Sequence, residues 1–250
     1  MEPEIPLSGG NSSTGTVRVG NTVRKPRTAR SLGAQTYMHH LREEGIDLPA
    51  PLGQDSHGRM VTEFVPGIVA IDAPPLTRDE LGEVGAMVRA IHDASQRLDV
   101  AELGLGPALI PTEGADLACH CDLTPWNLVI GPRRVFIDWD GAAASTRVWD
   151  LAYSAQAFTL NDPAAEPVRA AHDLRAFADG YRADKRLRAD LSRTLAPRAR
   201  AMHEHLRSSF LAGRQPWGTM YLKGHGDHWQ RVASYIEEHM PTWEKALSAP

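Results

Sequence analysis

The sequence predicts an α+β fold with a small, β-rich N-terminal lobe and a larger, mainly helical C-terminal lobe. Apolar residues alternate with polar ones between tight-turn signals in the first third of the 250-residue chain. Over most of the remainder, apolar residues recur at helical spacing. The length fits about one or two domains. A Pro-Gly pair at positions 66 and 67 marks the predicted boundary, which divides the chain into residues 1–67 and 68–250.

The composition indicates an ordinary globular protein, with 42% hydrophobic residues, 23% charged residues and a formal net charge of -4. This charge gives no electrostatic reason to expect a nucleic-acid partner. No apolar run has the length of a signal peptide or a membrane span. We therefore expect a cytoplasmic protein, monomeric or homodimeric, that does not bind membranes.

The N-terminal elements begin with a predicted hairpin around Gly20-Asn21, where Val17, Val19 and Val23 alternate with polar residues. The preceding residues 8–15 are small and rich in glycine. Such a loop lets backbone N–H groups approach phosphate oxygens, and the hydroxyls of Ser12 and Ser13 are further donors. A solvated hairpin tip is the alternative, since neither glycine-rich nucleotide motif is present.

Later elements follow from periodicity and capping. Residues 32–41 suit a short helix, and residues 59–65 suit a further strand. Thr77 and Glu80 form a capping box at the start of the next helix. Helical stripes follow at residues 168–181, at 187–195 ahead of Pro197, and at 229–243 with an interruption at Pro241.

The strongest functional signal lies between these helices. Residues 120–127 read His-Cys-Asp-Leu-Thr-Pro-Trp-Asn, and residues 137–140 read Ile-Asp-Trp-Asp. Phosphoryl transfer needs a carboxylate that accepts a proton from the attacking hydroxyl, and an amide and a second carboxylate that hold magnesium. Asp122, Asn127 and Asp138 supply these groups in the order of a kinase catalytic loop. The stretch therefore predicts a phosphotransferase.

Short apolar runs at residues 128–130 and 135–137, joined by a Gly-Pro turn, predict a β-hairpin within this stretch. The two ends of a hairpin lie side by side. Asn127 and Asp138 can therefore share one Mg²⁺ ion, which prefers oxygen ligands and accepts few of them from protein.

Two other polar clusters have weaker interpretations. Cys119, His120 and Cys121 suggest zinc, but no second cluster is spaced to complete four ligands, and buried free thiols are favoured. The triplet at residues 225–227 reads His-Gly-Asp, but no asparagine stands five residues beyond its aspartate. We interpret it as a loop before the last helix.

These motifs resemble the aminoglycoside phosphotransferase family, whose compact members carry H-G-D-x-x-x-x-N followed by I-D-[FW]-[DE]. The resemblance extends over nearly the whole chain and includes Trp149-Asp150-Leu151-Ala152. It implies a bilobal protein-kinase-like fold, with ATP and Mg²⁺ as cofactors. It also implies that the acceptor is a hydroxyl group of a small molecule, bound in a pocket of the C-terminal lobe.

The resemblance also implies roles for individual residues. Asp122 would be the general base, and His120 would hold the catalytic loop by hydrogen bonding. Asn127 and Asp138 would bind magnesium. Asp140 has two interpretations, a second-metal contact or a carboxylate that faces solvent.

The nucleotide would be held by the N-terminal lobe. The backbone of Glu63 and of Val65 would pair with adenine. The predicted strand ends in Arg24-Lys25, and either basic residue could grip the phosphates. Strand alternation favours Lys25, because it shares a face with Val23.

Gln35 and the open choice between Lys25 and Arg24 support an alternative function. Gln35 stands where the kinase helix carries the glutamate that pairs with the lysine. Cys121 replaces the usual glycine, which adds a side chain beside Asp122 but removes no catalytic group. The alternative is a catalytically weak pseudokinase that uses its nucleotide pocket for binding or regulation. Retention of Asp122, Asn127 and Asp138 argues against it.

The only sequence evidence about the identity of the acceptor is the charge of the C-terminal region. Residues 161–250 carry eleven acidic and fourteen Lys or Arg residues. A polycationic aminoglycoside should prefer a strongly acidic pocket. An aminoglycoside, another antibiotic and a hydroxylated metabolite therefore stay equally open.

Overall fold

A computed structural model describes residues 2–7 and 15–248. The strands of this part form an N-terminal sheet of order β1-β2-β3-β5-β4, a sheet of order β6-β8-β9, and the pair β7-β10, and all named neighbours are antiparallel. The strands are β1 (Ile5–Pro6), β2 (Val17–Val19), β3 (Thr22–Lys25), β4 (Pro51–Gln54), β5 (Met60–Glu63), β6 (Ile68–Val69), β7 (Leu117–Cys119), β8 (Leu128–Ile130), β9 (Arg134–Phe136) and β10 (Ala143–Ser145).

Most of the C-terminal part is helical, as predicted. No helix of the described ranges is both long and apolar enough to cross a membrane. The helices are α1 (Ser31–Glu43), α2 (Arg78–Ser95), α3 (Arg147–Thr159), α4 (Pro167–Gly180), α5 (Lys185–Leu211), α6 (Trp217–Met220), α7 (Gly226–Glu238) and α8 (Met240–Ser248).

Both predicted hairpins are confirmed. Val19 pairs with Thr22 across the Gly20-Asn21 turn, and β8 pairs with β9 from Leu128 opposite Phe136 to Ile130 opposite Arg134. The glycine-rich loop with Ser12 and Ser13 lies outside the described residues, and its phosphate contact stays a prediction. The lobe boundary after residue 67 also stays a prediction.

The helix predicted to precede Pro197 is longer than expected. The prediction was wrong about its end, because α5 continues through Pro197 to Leu211. Pro197 and Arg193, four residues earlier, both lie on the exposed side of the helix. The carbonyl that loses its backbone partner to proline can therefore be hydrated, so the helix continues.

Helix α1 is anchored to the C-terminal part of the chain. The buried Tyr37 hydroxyl lies 2.9 Å from the carbonyl oxygen of Ala118 in β7 and 2.6 Å from the hydroxyl of Ser95 in α2. Its ring stacks edge-on against Trp139, with 5.7 Å between centroids. These contacts connect α1 to the strand that leads into the catalytic loop.

Glycines allow α2 and α4 to pack closely. A Cβ atom on Gly85 would lie 2.1 Å from the carbonyl oxygen of Phe177, and one on Gly180 would lie 1.9 Å from that of Gly82. On Gly82, by contrast, it would lie 3.6 Å from its nearest neighbour, an ordinary contact. The close packing of α2 against α4 therefore requires glycine, which has no side chain, at positions 85 and 180.

We predict that Gly85→Ala destabilises the fold by about 1–3 kcal/mol, because the added methyl forces α2 away from α4. Gly82→Ala is the matched control. It should be neutral or stabilising by up to about 1 kcal/mol, since alanine favours helix more than glycine does. Urea unfolding of both variants measures the difference, and equal stabilities would contradict the packing described here.

Candidate active site

The catalytic loop leaves β7 through a strained residue. Cys121 has a φ of 66°, in the left-handed region that a side chain normally avoids. This conformation costs a residue with a side chain about 1–2 kcal/mol and explains why glycine suits the position. The turn places His120 and Asp122 on either side of Cys121.

His120 connects this loop to β9. It is fully buried, and its Nδ1 atom accepts a hydrogen bond from the backbone N–H of Asp122 at 3.2 Å. Nε2 therefore carries the proton and donates to the carbonyl oxygen of Ile137 at 3.1 Å. Burial lowers the pKa of His120, so the ring stays neutral. The imidazole thus connects the residue before Asp138 to Asp122.

Asp122 lies among hydrogen-bond donors. The Nδ2 atom of Asn127 lies 2.7 Å from Asp122 Oδ2, and the indole Nε1 of Trp126 lies 3.4 Å from the same oxygen. The Thr124 hydroxyl lies 3.3 Å from Oδ1. These contacts fix the orientation of the carboxylate within its own loop.

The surroundings make Asp122 a stronger base than a solvated carboxylate. Burial raises the pKa of its carboxyl to about 6, and the negative charge of Asp138 adds to the rise. The hydrogen bonds from Trp126 and Asn127 act in the opposite direction, because they favour the ionised form. Asp122 is therefore ionised near neutral pH and still accepts a proton readily.

Lys25, at the end of β3, reaches the carboxylates that follow β9. Its ammonium group donates to Asp138, and it lies 3.1 Å from Asp140 Oδ2. Burial alone would lower the pKa of Lys25, but the charges of Asp138 and Asp140 outweigh it and raise that pKa. Burial would raise the pKa of Asp138, but Lys25 outweighs it and lowers that pKa. Lys25 and Asp138 are thus both charged.

The residues at this site fit magnesium. Because Nδ2 of Asn127 donates to Asp122, the amide oxygen Oδ1 is the atom that Asn127 can offer to a cation. Asp138 provides an ionised carboxylate, and the carboxylate of Asp140 pairs with the same lysine, Lys25. A set of carboxylate and amide oxygens is what Mg²⁺ prefers.

The basic neighbour of Lys25 is not brought to the site. Arg24 lies on the other face of β3, and its guanidinium pairs with Asp55 at 3.4 Å. Gln35 also contacts other groups, since its amide donates to the carbonyl oxygens of Gly53 and Val61. Lys25 therefore has carboxylate partners after β9 in place of a helix glutamate.

The two residues predicted to pair with adenine have different backbone environments. The N–H of Glu63 already donates to Ala50 at 2.9 Å, so Glu63 can offer only its carbonyl. The N–H of Val65 makes no backbone hydrogen bond within residues 2–7 and 15–248. Val65 can therefore donate to a ligand.

One further cluster of the described residues carries metal-binding side chains. Cys119 lies near His92 and Asp150, with ligand atoms within 4.8 Å of one another. Both ring nitrogens of His92 are used, however, by the Tyr181 hydroxyl and by Asp150. This engagement leaves no ring nitrogen of His92 for zinc. Cys119 is buried and Cys121 is partly buried, and they do not form a disulfide.

The His-Gly-Asp triplet at residues 225–227 lies at the start of α7, where we had expected a loop. The carbonyl of Gly226 accepts a hydrogen bond from the His203 ring at 3.0 Å. The triplet therefore takes part in the packing of α7 against α5.

Three residues beside Asp122 were missed by the sequence analysis. Trp126 lies within the motif, and its polar indole nitrogen one helical turn after the aspartate could have indicated a contact. Tyr153 in α3 and Arg198 in α5 are distant in sequence, so no local pattern connects them to Asp122.

Comparison with known proteins supports the fold and the motif. A model of the phosphotransferase enzyme family (APH) matches residues 96–191. The predicted resemblance to aminoglycoside phosphotransferases is thereby confirmed over this part of the chain. The trifolitoxin immunity protein of Rhizobium leguminosarum bv. trifolii is 27% identical over 99% of this chain and 100% of its own length.

Solved structures with low identity share the fold. A choline/ethanolamine kinase family protein from Mesorhizobium loti covers 98% of this chain and 92% of its own, with a TM-score of 0.60 and 17% identity. A microcompartment-associated aminopropanol kinase covers 98% of this chain and 93% of its own, with a TM-score of 0.64 and 16% identity. Spectinomycin phosphotransferase, solved with ADP and spectinomycin, covers 97% of this chain and 93% of its own, with a TM-score of 0.60 and 14% identity. The predicted protein-kinase-like fold is confirmed.

We predict that Asp122→Asn stabilises the protein above pH 6 and that the gain disappears towards pH 4. The wild-type carboxyl has a pKa of 3.8 when unfolded and about 6 when folded, so the native state loses stability as pH rises between these values. The full difference is at most about 3 kcal/mol. Melting temperatures measured from pH 4 to 8 test this.

Asp116→Asn is the matched control, because Asp116 is an exposed carboxylate shortly before the same loop. Its melting curve should follow the wild type at every pH. If Asp122→Asn also followed the wild type at pH 8, the described environment of Asp122 would be wrong.

Proposed function

From the match to the phosphotransferase family, which spans Asp122, Asn127 and Asp138, we propose that this chain transfers the γ-phosphoryl group of ATP to a hydroxyl of a small molecule. One observation carries the proposal. The Asp122 carboxylate accepts a hydrogen bond from the amide of Asn127, and the Asp138 carboxylate in the same site is paired with Lys25.

In the proposed reaction, Asp122 accepts the proton of the acceptor hydroxyl. The hydroxyl oxygen forms a bond to the γ-phosphorus, and the bond from that phosphorus to the β–γ bridging oxygen breaks, which releases ADP. Asn127 and Trp126 hold the Asp122 carboxylate in place, and His120 fixes its loop against the carbonyl of Ile137. Positioning of this kind is the main protein contribution to phosphoryl transfer.

The phosphates are bound by charges on both sides of the site. Lys25 would turn from Asp138 and Asp140 to the phosphate oxygens, which present stronger negative charge. Magnesium, held by Asn127 Oδ1 and Asp138, would neutralise charge on the phosphates. On the adenine side, the free N–H of Val65 donates and the carbonyl of Glu63 accepts.

The acceptor belongs to the class of small hydroxylated compounds. The relative that covers the whole chain is named for immunity to trifolitoxin, and structural neighbours include a spectinomycin phosphotransferase and an amicoumacin kinase. Other neighbours are a choline/ethanolamine kinase family protein and an aminopropanol kinase, so an antibiotic, a toxin and a hydroxylated metabolite all stay open as the acceptor of this chain.

The alternative of a weak pseudokinase is favoured by Gln35, which contacts the carbonyls of Gly53 and Val61. Two observations argue against it. Lys25 is held by Asp138 and Asp140 without the helix glutamate. Three side chains, of Thr124, Trp126 and Asn127, also lie within hydrogen-bonding distance of the Asp122 carboxylate. Nucleotide binding and turnover distinguish the two functions.

We predict that ATP with Mg²⁺ raises the melting temperature of the wild type and that Lys25→Met weakens nucleotide binding at least about tenfold, which corresponds to about 1.4 kcal/mol. Arg24→Met is the matched control, since Arg24 is the adjacent cation and pairs with Asp55. Titration calorimetry with a non-hydrolysable ATP analogue gives the affinities. Equal losses in both variants would argue against Lys25 as the phosphate-binding residue.

We predict that acceptor-dependent ADP release falls about 10²–10⁴-fold in Asp122→Asn, while ATP still stabilises the variant. The wild-type kcat/KM should fall about tenfold per pH unit below about pH 6, because Asp122 must be ionised to accept a proton. A screen of antibiotics, amino alcohols and sugars supplies the acceptors. Nucleotide binding with no turnover for any acceptor would support the pseudokinase instead.

A further inference from the structure

Arg198 is a buried cation in the C-terminal helices. It lies on α5 with 4% of its surface exposed. Its guanidinium carbon lies 3.9 Å from the centre of the Tyr153 ring and 5.6 Å from that of Trp149, both on α3. The aromatic faces thus position the guanidinium plane.

The guanidinium lacks the partners that its burial requires. Its Nε and Nη1 atoms are buried and make no hydrogen bond to any residue of the described ranges. No carboxylate of those ranges forms an ion pair with it. A buried charge without hydrogen-bond partners is costly, so such donors normally meet an anion or ordered water.

Arg198 is also a neighbour of Asp122. Tyr153 packs edge-on against Trp126, with 6.3 Å between centroids, and the Trp126 indole points at the Asp122 carboxylate. Burial dominates the raised pKa of Asp122, but the charge of Arg198 is close enough to oppose it. The guanidinium therefore lies close to the proposed base.

We propose that Arg198 binds a carboxylate of the acceptor while the acceptor hydroxyl lies at Asp122. The proposal rests on the proposed function and specifies its substrate class. A guanidinium donates charge-assisted hydrogen bonds to carboxylate oxygens, and Nε and Nη1 of Arg198 are donors without a partner in the described ranges. The partly exposed rings of Trp126 and Trp149 would contact the apolar portion of the same molecule. A polycationic aminoglycoside would instead place its charge beside a buried cation.

A simpler role for Arg198 is to balance the charges of Asp122 and Asp150, both of which act on it. The two roles differ in one respect. A carboxylate-binding site responds to an added carboxylate, whereas a balancing charge that already has its partners does not.

The test uses the intact protein and acetate, the smallest carboxylate probe. Thermal shifts are measured with increasing acetate against acetamide, at constant ionic strength maintained with sodium chloride. Acetate should raise the wild-type melting temperature more than acetamide does. Arg198→Met should weaken the fitted acetate affinity at least tenfold. The matched control is Arg200→Met, because Arg200 is exposed on the same helix and pairs with Glu237.

No acetate-specific shift in the wild type, or an equal shift in Arg198→Met, would overturn the proposal. If Arg198→Met does not fold, Arg198→Lys serves in its place. It keeps the charge and loses the paired donors, so it should show a weaker shift than the wild type.

A second measurement separates this proposal from the proposed function. Hydroxylated acceptors are compared as free acids and as amides for ADP release. We expect the acids to have a KM at least tenfold lower, a preference that Arg198→Lys reduces. Acetate binding without ADP release would contradict the proposed function alone, whereas turnover with equal KM for acids and amides would contradict the role of Arg198 alone.

Discussion

The site depends on holding two carboxylates, Asp122 and Asp138, close enough to repel each other in a partly buried environment. Their repulsion contributes to the raised pKa of Asp122. Lys25 compensates Asp138, and the side chain of Asn127 compensates Asp122. His120 accepts a hydrogen bond from the Asp122 N–H and donates one to the Ile137 carbonyl, which holds the two carboxylate-bearing segments together.

Much of the fold and part of the site could be predicted because their signals are local. The β8–β9 hairpin and the spacing from Asp122 to Asn127 lie within short stretches of sequence, and strand alternation favoured Lys25, the basic residue that the structure brings to the site. The end of α5 was mispredicted, because the effect of Pro197 depends on which face of the helix meets solvent. Arg198 could not be found from sequence, since its position beside Tyr153 results from the packing of two distant helices.

Two of the three non-glycine residues with positive φ in the described ranges belong to the candidate site. Cys121 and Asp138 have positive φ angles of 66° and 64°, and each is directly next to a residue that His120 contacts. Such conformations persist where the surroundings leave no alternative. Here the buried imidazole of His120 supplies that restraint through its hydrogen bonds to the backbone of Asp122 and Ile137.

The attachment of Asn127 and Asp138 to one short hairpin has a mechanical consequence. Lys25 belongs to a different sheet, and its ion pair bridges that sheet and the hairpin. In the proposed function, a hinge motion between the sheet and the hairpin would separate Lys25 from the phosphates, whereas Asn127 and Asp138 would move together. Nucleotide release would then leave the two proposed magnesium ligands in their relative positions.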